Sequence, residues 1–269
     1  MISRELQLVV RLCAERAGLR IDPEKHYLAE NRLAPVARRE GFSSIEEFVA
    51  AVRDRDEERL IWALVEAMSP SETSFFRDPE TFELIAQKAL PDLAGRAEGR
   101  PLRIWAAACG TGQEVYSLAM LLAELPTGGS AVELTGSDLC ERRLEKAQSG
   151  LYSQFEVQRG LSAHRLVRHF ENADEGFVLS PRIRSRVRWR RVNLIEDVSR
   201  MGRFDLVLCR GLTPHLTDAA RERVLANLVG ALGPGGVLAL GPDETAPGLV
   251  AAPGLAGFQM RAEDRRVAA

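Results

Sequence analysis

The sequence has little of what marks secreted, membrane-spanning or metal-binding proteins. Its four cysteines, Cys13, Cys109, Cys140 and Cys209, are scattered, and their spacing suits neither a disulfide framework nor a metal site. We therefore expect reduced thiols, a cytoplasmic location and no bound metal. The first twenty residues carry a charge every few positions, so we expect neither a signal peptide nor membrane insertion.

The chain also lacks an excess of charge of either sign. Its net charge of -2 provides no global field that would attract nucleic acid. With 45% hydrophobic and 28% charged residues, the composition is that of a globular protein. The 269 residues are enough for a sizeable core, in one large domain or two smaller ones.

Hydrophobic periodicity divides the chain into two regions. Over residues 1–90, apolar residues recur at helical spacing and no run alternates with period two, which predicts a helical N-terminal domain with its linker. Over residues 91–269, short apolar runs alternate with amphipathic helical patterns. Such alternation predicts an α/β domain with a mostly parallel sheet and helices on both faces.

One segment of the second region breaks this alternation. Arginines occupy positions 182, 184, 186, 188 and 190, with other residue types between them. This period of two predicts a strand with one arginine face, and the preceding FVLS suggests a small antiparallel hairpin inserted at about residues 176–194. The arginines suit a binding surface, and equally an edge strand that charge protects from aggregation.

A turn with two glycines, AACGTGQE at residues 107–114, lies where a predicted strand meets a predicted helix. Gly110 and Gly112 permit positive φ and let a ligand lie against the backbone, near the free N–H groups of the helix start. Taken alone, such a turn is as common without a ligand. Asp138 ends the next predicted strand, where an acid can accept hydrogen bonds from both hydroxyls of a ribose. Because the turn has no third glycine for a pyrophosphate, it favours S-adenosylmethionine over NAD.

Both acidic residues near this turn have plainer explanations. Asp138 could cap a helix that begins before Glu141. Glu114 lies in the first turn of the predicted helix, where it could simply complement the helix dipole. It could also bind the amino group or the sulfonium side of the cofactor. The sequence favours the ribose role for Asp138 and leaves the two roles of Glu114 open.

Several separate motifs resemble the CheR family of bacterial chemotaxis receptor methyltransferases. They are SPSETSFFRDPETF (69–82), IWAAACGTGQEVYSLAMLL (104–122), LTGSDLCERRLEKAQSGLY (134–152), RVNLIEDV (191–198), FDLVLCRG (204–211) and LGPGGVLALGPDE (232–244). The resemblance implies an α/β, Rossmann-like S-adenosylmethionine-dependent methyltransferase domain with a small antiparallel β insert, preceded by an all-helical N-terminal domain. It also implies methyl transfer from S-adenosylmethionine to glutamate side chains of chemoreceptors, giving γ-methyl esters and S-adenosylhomocysteine.

Matching these motifs residue by residue implies the members of the site. The cofactor would be bound by Ser71, Thr73, Arg77, Ala108, Gly110, Glu114, Asp138, Asn193, Leu194, Arg210 and Gly211. Within this set, Glu114 would bind the methionine part and Asp138 the ribose, while residues 193–194 would flank the adenine.

Arg77 and His215 are the candidate catalytic residues. A glutamate side chain, with a pKa of about 4.3, is already anionic at neutral pH and needs no general base. Arg77 could hold this acceptor carboxylate with its planar guanidinium, and the alternative is a salt bridge to Asp78, Glu80 or Glu83. His215 stands where the family usually has a tyrosine, and a histidine can also donate a hydrogen bond.

The stretch CRGLTPHL at 209–216 departs from the family pattern C-R-N-V-M-I-Y-F. Gly211 replaces the asparagine, His215 replaces the tyrosine, and Pro214 would reshape the turn. The alternative to an enzyme is therefore a catalytically weakened regulator that binds S-adenosylmethionine, docks on receptors or senses the cofactor.

The partners that the resemblance implies are the cytoplasmic helices of methyl-accepting chemoreceptors. They would face the second helix, which carries Arg32, Arg38 and Arg39, although charged helix faces are usually just solvated. A receptor tail peptide could bind at the β insert. Nucleic-acid methylation guided by the arginine strand is a weaker hypothesis, because the net charge of -2 argues against it.

Overall fold

The computed structural model describes residues 3–22, 24, 26–70, 72–125, 132–241 and 244–266. The chain divides into two compact units. The first comprises residues 1–70 and 212–224, and the second comprises residues 71–211 and 225–269. Among the residues described, we find no helix that combines the length and the apolar character needed to span a bilayer.

The first unit is built from helices. They are α1 (Ser3–Ala17), α2 (His26–Arg39), α3 (Ile45–Arg55) and α4 (Glu58–Met68). Ser44 caps α3, because its Oγ accepts the N–H of Glu47 at 3.1 Å. Residues 212–224 join this unit through an antiparallel bridge between Leu19 and Leu216.

The second unit contains two sheets. Its strands are β1 (Leu102–Ala107), β2 (Val132–Asp138), β3 (Leu151–Tyr152), β4 (Phe170–Ala173), β5 (Gly176–Leu179), β6 (Val187–Arg191), β7 (Phe204–Leu208), β8 (Leu232–Ala239), β9 (Leu249–Ala251) and β10 (Phe258–Arg261). The larger sheet has the order β6-β2-β1-β7-β8-β10-β9, and its first five strands run parallel. The smaller sheet, β3-β5-β4, is antiparallel.

Helices connect these strands. They are α5 (Pro79–Leu84), α6 (Leu90–Arg96), α7 (Gln113–Glu124), α8 (Glu141–Ser149), α9 (Gln154–Gln158), α10 (Ala163–His169), α11 (Pro181–Arg184) and α12 (Asp218–Gly230). A π-helical turn, Ile85–Ala89, joins α5 to α6. The mostly parallel sheet with helical connections confirms the predicted α/β architecture, and the antiparallel β3-β5-β4 sheet confirms a small β insert.

The central strands of the large sheet are buried on both faces. In β1, Ile104, Trp105 and Ala106 are fully buried, and β7 is buried along its whole length. Helices cover both faces of a parallel sheet, so its strands read as continuous apolar runs rather than as alternating patterns. This is why LRIWAAA and FDLVL were readable as strands from the sequence.

The arginine segment does not form the expected hairpin. Residues 181–184 form α11, and β6 pairs in parallel with β2 at the edge of the large sheet. Pro181 presets the helical φ at the start of α11. Ser185 is exposed between the buried Ile183 and Val187, so burial does not alternate with period two through the start of this segment. The insert is therefore the β3-β5-β4 sheet within residues 151–179, and β6 is a charged edge strand.

The division after Pro70 also lies earlier in the chain than the boundary we expected at residue 90. Phe82, Ile85 and Leu93, which lie in or between α5 and α6, are buried in the hydrophobic core of the second unit. The apolar faces of α5 and α6 have to be covered, and in the structure they pack in the core of the second unit.

Gly160→Ala will destabilise the second unit. Gly160 has φ +87°, and an added Cβ would overlap the carbonyl oxygen of Phe75. The matched control is Gly257→Ala, since Gly257 has φ +80° and no atom of a described residue lies within 4 Å of an added Cβ. We expect the control to lose only the left-handed strain of about 1–2 kcal/mol, and Gly160→Ala to lose at least about 2 kcal/mol more in urea unfolding. Equal losses would contradict the proposed overlap.

Candidate functional site

The carboxyl ends of four parallel strands bring most of the predicted site residues to one edge of the large sheet. The turn at residues 108–112 follows β1, and Asp138 ends β2. Asn193 and Leu194 follow β6, and Arg210 follows β7. Ligands of open α/β sheets bind in the crevice outside this edge.

The turn at residues 108–112 has a left-handed backbone at three positions. Ala108, Gly110 and Gly112 have φ values of +53°, +58° and +90°. The value is uncommon for Ala108, which has a Cβ, and strain of about 1–3 kcal/mol is typical of functional sites. An added Cβ at Gly112 would lie 2.9 Å from Cβ of Ala147 and 3.0 Å from the ring of Trp189. Gly112 is therefore required by the close approach of α8 and β6.

Asp138 is buried and holds this turn in place. Its Oδ2 accepts the N–H of Gly110 at 2.8 Å, and its Oδ1 accepts the N–H of Cys140 at 2.9 Å. Nη1 of Arg143 lies 3.8 Å from Oδ1. A carboxylate offers about four acceptor positions, so these two N–H groups leave room for ribose hydroxyls. Because Cys140 is the N-cap residue of α8, the plainer capping role and the binding role are compatible.

Glu114 and Arg210 form a buried ion pair at the start of α7. Their side chains are 10% and 5% exposed, and Oε1 of Glu114 lies 2.6 Å from Nε and 2.5 Å from Nη2 of Arg210. The same guanidinium contacts Oδ2 of Asp78 at 3.1 Å and donates to the carbonyl of Arg77 at 2.8 Å. Glu114 therefore does more than complement the helix dipole, since it anchors the cation that ties α7 to residues 77–78.

Residues 72–78 bring two further predicted side chains to this edge. Cγ2 of Thr73 lies 3.4 Å from the position of an added Cβ on Gly110, and Nη1 of Arg77 lies 3.2 Å from that position on Gly211. In the part of the chain that the structure describes, the Arg77 guanidinium has no hydrogen-bond or ion-pair partner. The alternative salt bridges to its acidic neighbours are not formed. Ser71 lies outside the described residues.

Residues 193–194 form the turn after β6. Leu194 is buried, and its carbonyl accepts a hydrogen bond from Nδ2 of Asn227 at 2.9 Å. Nδ2 of Asn193 donates to Oε1 of Glu196 at 3.1 Å. These bonds fix the turn, and its contact with adenine stays a prediction.

His215 belongs to the first unit. It ends the 3-10 turn Thr213–His215, and its carbonyl accepts the N–H of Arg20 at 2.8 Å. Gly211, by contrast, belongs to the second unit. The catalytic role of His215 stays a prediction.

Two aromatic residues for which the sequence predicted no role shape the site. The hydroxyl of Tyr152 donates to the carbonyl of Thr111 at 2.7 Å. The ring of Trp189 lies against Gly112 and Gly136. A glycine inside a predicted strand, such as Gly136, indicates the close approach of another group. The sequence pattern does not reveal which group approaches, because that contact is formed only in the tertiary structure.

The described part of this edge offers no cluster of metal ligands, and its Cys109 is not a reactive thiol. Among the described residues, no group of three or more His, Cys, Asp or Glu side chains could hold a metal ion. Burial, and then the charges of Asp138 and Glu114, raise the pKa of the Cys109 thiol well above its ordinary value. Cys109 is therefore not a thiolate nucleophile at neutral pH.

Known proteins match both parts of the chain. A family model described as the SAM binding domain of CheR methyltransferase matches residues 71–253, and one described as its all-alpha domain matches residues 4–69. Chemotaxis protein methyltransferase 1 of Pseudomonas aeruginosa is 35% identical over 233 residues, which are 84% of this chain and 85% of that protein.

Two further relatives come from other species. Chemotaxis protein methyltransferase 1 of Vibrio cholerae is 33% identical over 255 residues, which are 92% of this chain and 91% of that protein. The probable biofilm formation methyltransferase WspC of Pseudomonas putida is 33% identical over 240 residues, which are 88% of this chain and 56% of that protein.

Arg210→Met will leave Glu114 buried without its cation. Breaking a buried pair from one side costs about 3–5 kcal/mol, because the remaining charge is uncompensated. The double variant Glu114→Gln/Arg210→Met removes that charge and should unfold at a higher urea concentration than Arg210→Met alone. Arg96→Met, which removes an exposed arginine, is the control and should change stability by less than about 0.5 kcal/mol. If the double variant were no more stable than Arg210→Met, the loss in Arg210→Met would not come from the uncompensated charge of Glu114.

Proposed function

Because the chain belongs to the CheR methyltransferase family, we propose that it methylates glutamate side chains of chemoreceptors, with S-adenosylmethionine as the donor and γ-methyl esters as products. The match of the SAM binding domain over residues 71–253 makes the chain an S-adenosylmethionine-dependent methyltransferase. The observation that carries the proposed acceptor is the similarity, over most of both chains, to two proteins named chemotaxis protein methyltransferases.

The edge of the sheet fits this cofactor at chemically distinct places. The backbone at Gly110 is open, because Thr73 is the only described residue within 4 Å of an added Cβ. Asp138 keeps acceptor positions for the ribose hydroxyls. Glu114 and Arg210 set an acid beside a base, which suits the ammonium and the carboxylate of an amino acid. When bound, S-adenosylmethionine supplies an electrophilic methyl group on a sulfonium centre.

We assign the remaining cofactor contacts to the flanking backbone. Ala108 belongs to the left-handed turn, and residues 193–194 form the turn after the neighbouring strand. A nucleoside that lies along the strand ends would meet the ribose acid first and the 193–194 turn next. This order supports Asn193 and Leu194 as the neighbours of adenine.

We assign Arg77 to the acceptor carboxylate, in addition to the cofactor contact that its place in the family motif implies. Its guanidinium has no partner among the described residues, so its donors are available to a carboxylate. A glutamate with a pKa of about 4.3 already carries the nucleophilic oxygen at neutral pH. Arg77 therefore has to orient the acceptor and does not have to remove a proton, which is the positioning form of catalysis.

Gly211 gives Arg77 its room. Gly211 has φ +81°, and an added Cβ would lie only 3.2 Å from Nη1 of Arg77. A side chain at this position would displace the guanidinium or strain the backbone. We infer that Gly211, which stands where the family has asparagine, changes where Arg77 lies. The part of the site that would bind the acceptor glutamate is retained.

The proposed partners are the cytoplasmic methylation helices of receptors, which would place the protein in the cytoplasm. On α2, Tyr27 and Leu28 are exposed, which supports a contact there. Arg32 donates to the carbonyl of Met68 at 2.7 Å, and Arg39 pairs with Glu40, so two of the three arginines on this helix already have partners. A receptor tail peptide at the insert would have to use the β3-β5-β4 sheet, because the arginines of β6 lie outside it.

Labelled S-adenosylmethionine tests the proposed acceptor. Incubation with receptor cytoplasmic fragments should label glutamate side chains, and mild base should release the label as methanol, because a γ-methyl ester is labile and an N-methyl group is not. Receptor fragments with the accepting glutamates replaced by alanine are the control. Cofactor binding without base-labile transfer to any receptor would favour the weakened regulator instead.

Asp138→Asn will weaken the binding of S-adenosylhomocysteine. The substitution keeps the shape of the side chain and removes the charge, and hydrogen bonds to charged groups contribute about 1.5–3 kcal/mol. We expect calorimetry to show a loss of roughly 10- to 100-fold in affinity. Asp197→Asn, which changes an exposed acid bonded to Ser199, is the control and should bind as the unmodified chain does. Unchanged affinity of Asp138→Asn would refute the ribose assignment.

A further inference from the structure

The residue before Arg77 has a strained backbone. Phe76 has φ +44°, a left-handed conformation that costs a residue with a Cβ about 1–2 kcal/mol, or roughly a 5- to 30-fold preference against it. Its N–H donates to Oγ of Ser117 at 2.8 Å, and that hydroxyl donates to the carbonyl of Gln113 at 2.7 Å. Strain of this kind persists only where the surrounding structure holds it.

The Phe76 ring is enclosed by two neighbours. The ring of Phe82 packs beside it with centroids 5.1 Å apart. Cζ of Arg165 lies 3.8 Å from the centroid of the Phe76 ring, well within the range of a cation–π contact. Arg165 lies on α10, in the insert, and its side chain is 27% exposed.

A carboxylate holds Arg165 over that ring. The oxygens of Glu124, the last residue of α7, accept from Nε of Arg165 at 3.1 and 3.2 Å and from Nη2 at 2.9 Å. Nε2 of the buried His169 lies 3.0 Å from Oε1 of Glu124. Burial alone would raise the pKa of Glu124, but the hydrogen bonds from Arg165 and His169 outweigh it and lower that pKa. A guanidinium bonded at two points to a charged carboxylate has little rotational freedom.

The insert also fixes Phe75, the residue before Phe76. The N–H of Phe75 donates to the carbonyl of Arg159 at 3.1 Å. The fully buried Phe75 ring packs edge-on against Tyr152 and Phe170, with centroids 5.1 and 5.7 Å away. Residues 75–76 are therefore fixed from the insert side immediately before the chain reaches Arg77.

We propose that Arg165 is a positioning residue, which fixes the direction of the Arg77 side chain by holding Phe76 in its left-handed conformation. The inference rests on the proposed role of Arg77 at the cofactor and the acceptor. If the Phe76 ring lost its cationic cover, relaxation of φ to a negative value would turn the following residue, and the Arg77 guanidinium would leave the space beside Gly211.

A double-mutant cycle on S-adenosylhomocysteine binding tests the coupling without any receptor. By calorimetry, we expect Arg165→Met to weaken binding about 5-fold, and the double variant Arg165→Met/Arg77→Met to bind no more weakly than Arg77→Met. Arg165→Lys keeps a cation over the ring without the paired hydrogen bonds, so it should recover part of the loss. Arg168→Met, on the same helix with an exposed side chain, is the control and should bind normally.

A crystal structure of Arg165→Met gives the direct readout. We expect a negative φ at Phe76 and an Arg77 guanidinium that no longer lies against Gly211. Should Arg165→Met fold poorly, Glu124→Gln, which preserves shape and loosens Arg165, takes its place. The proposal is overturned if Phe76 keeps its φ and Arg77 its position, or if the two binding losses multiply in the double variant. Failure of receptor methylation with intact coupling would instead remove only the proposed acceptor.

Discussion

The carboxylate of Asp138 joins two βα turns through its hydrogen bonds to the N–H groups of Gly110 and Cys140. The first turn directs α7 away from β1, and the second starts α8 after β2. Both helices then pack close enough that residue 112 has to be glycine. A single buried charge thus fixes the shape of the turn and remains able to accept further hydrogen bonds. Structural support and the proposed binding of the ribose would depend on the same oxygen atoms.

The arginines at this edge differ in how fully they are used. Arg210 is buried and contacts Glu114, Asp78 and the carbonyl of Arg77, so the fold requires it. Arg77 is exposed and has no partner among the described residues. A saturated cation fixes local geometry, whereas an unsatisfied one is available to an anion from outside. This difference separates the two residues more clearly than their positions in the sequence do.

Much of the fold was readable from the sequence because its signals are local. Apolar runs that alternate with amphipathic helical patterns predicted the α/β sheet, and helical periodicity in the first part of the chain predicted a helical N-terminal unit. The prediction of a hairpin at the arginine segment was wrong. A period of two over a few residues does not distinguish a continuous strand from a helical turn that begins at a proline and is followed by a strand. The structure shows α11 followed by β6, and Ser185 is exposed although a continuous strand would put it on the same face as the buried Ile183 and Val187. Burial depends on neighbours far away in the chain.

The sequence by itself determined the chemistry at the strand ends: the glycines of the turn, the acid after β2, and the arginines that flank the site. These follow from residue type and spacing, which a local backbone pattern constrains. Only the tertiary structure decided which charges are already neutralised and which are available. It also revealed that Arg165, far along the chain, covers the ring beside Arg77. Pairing between distant side chains is set by packing, and packing is a property of the whole folded chain.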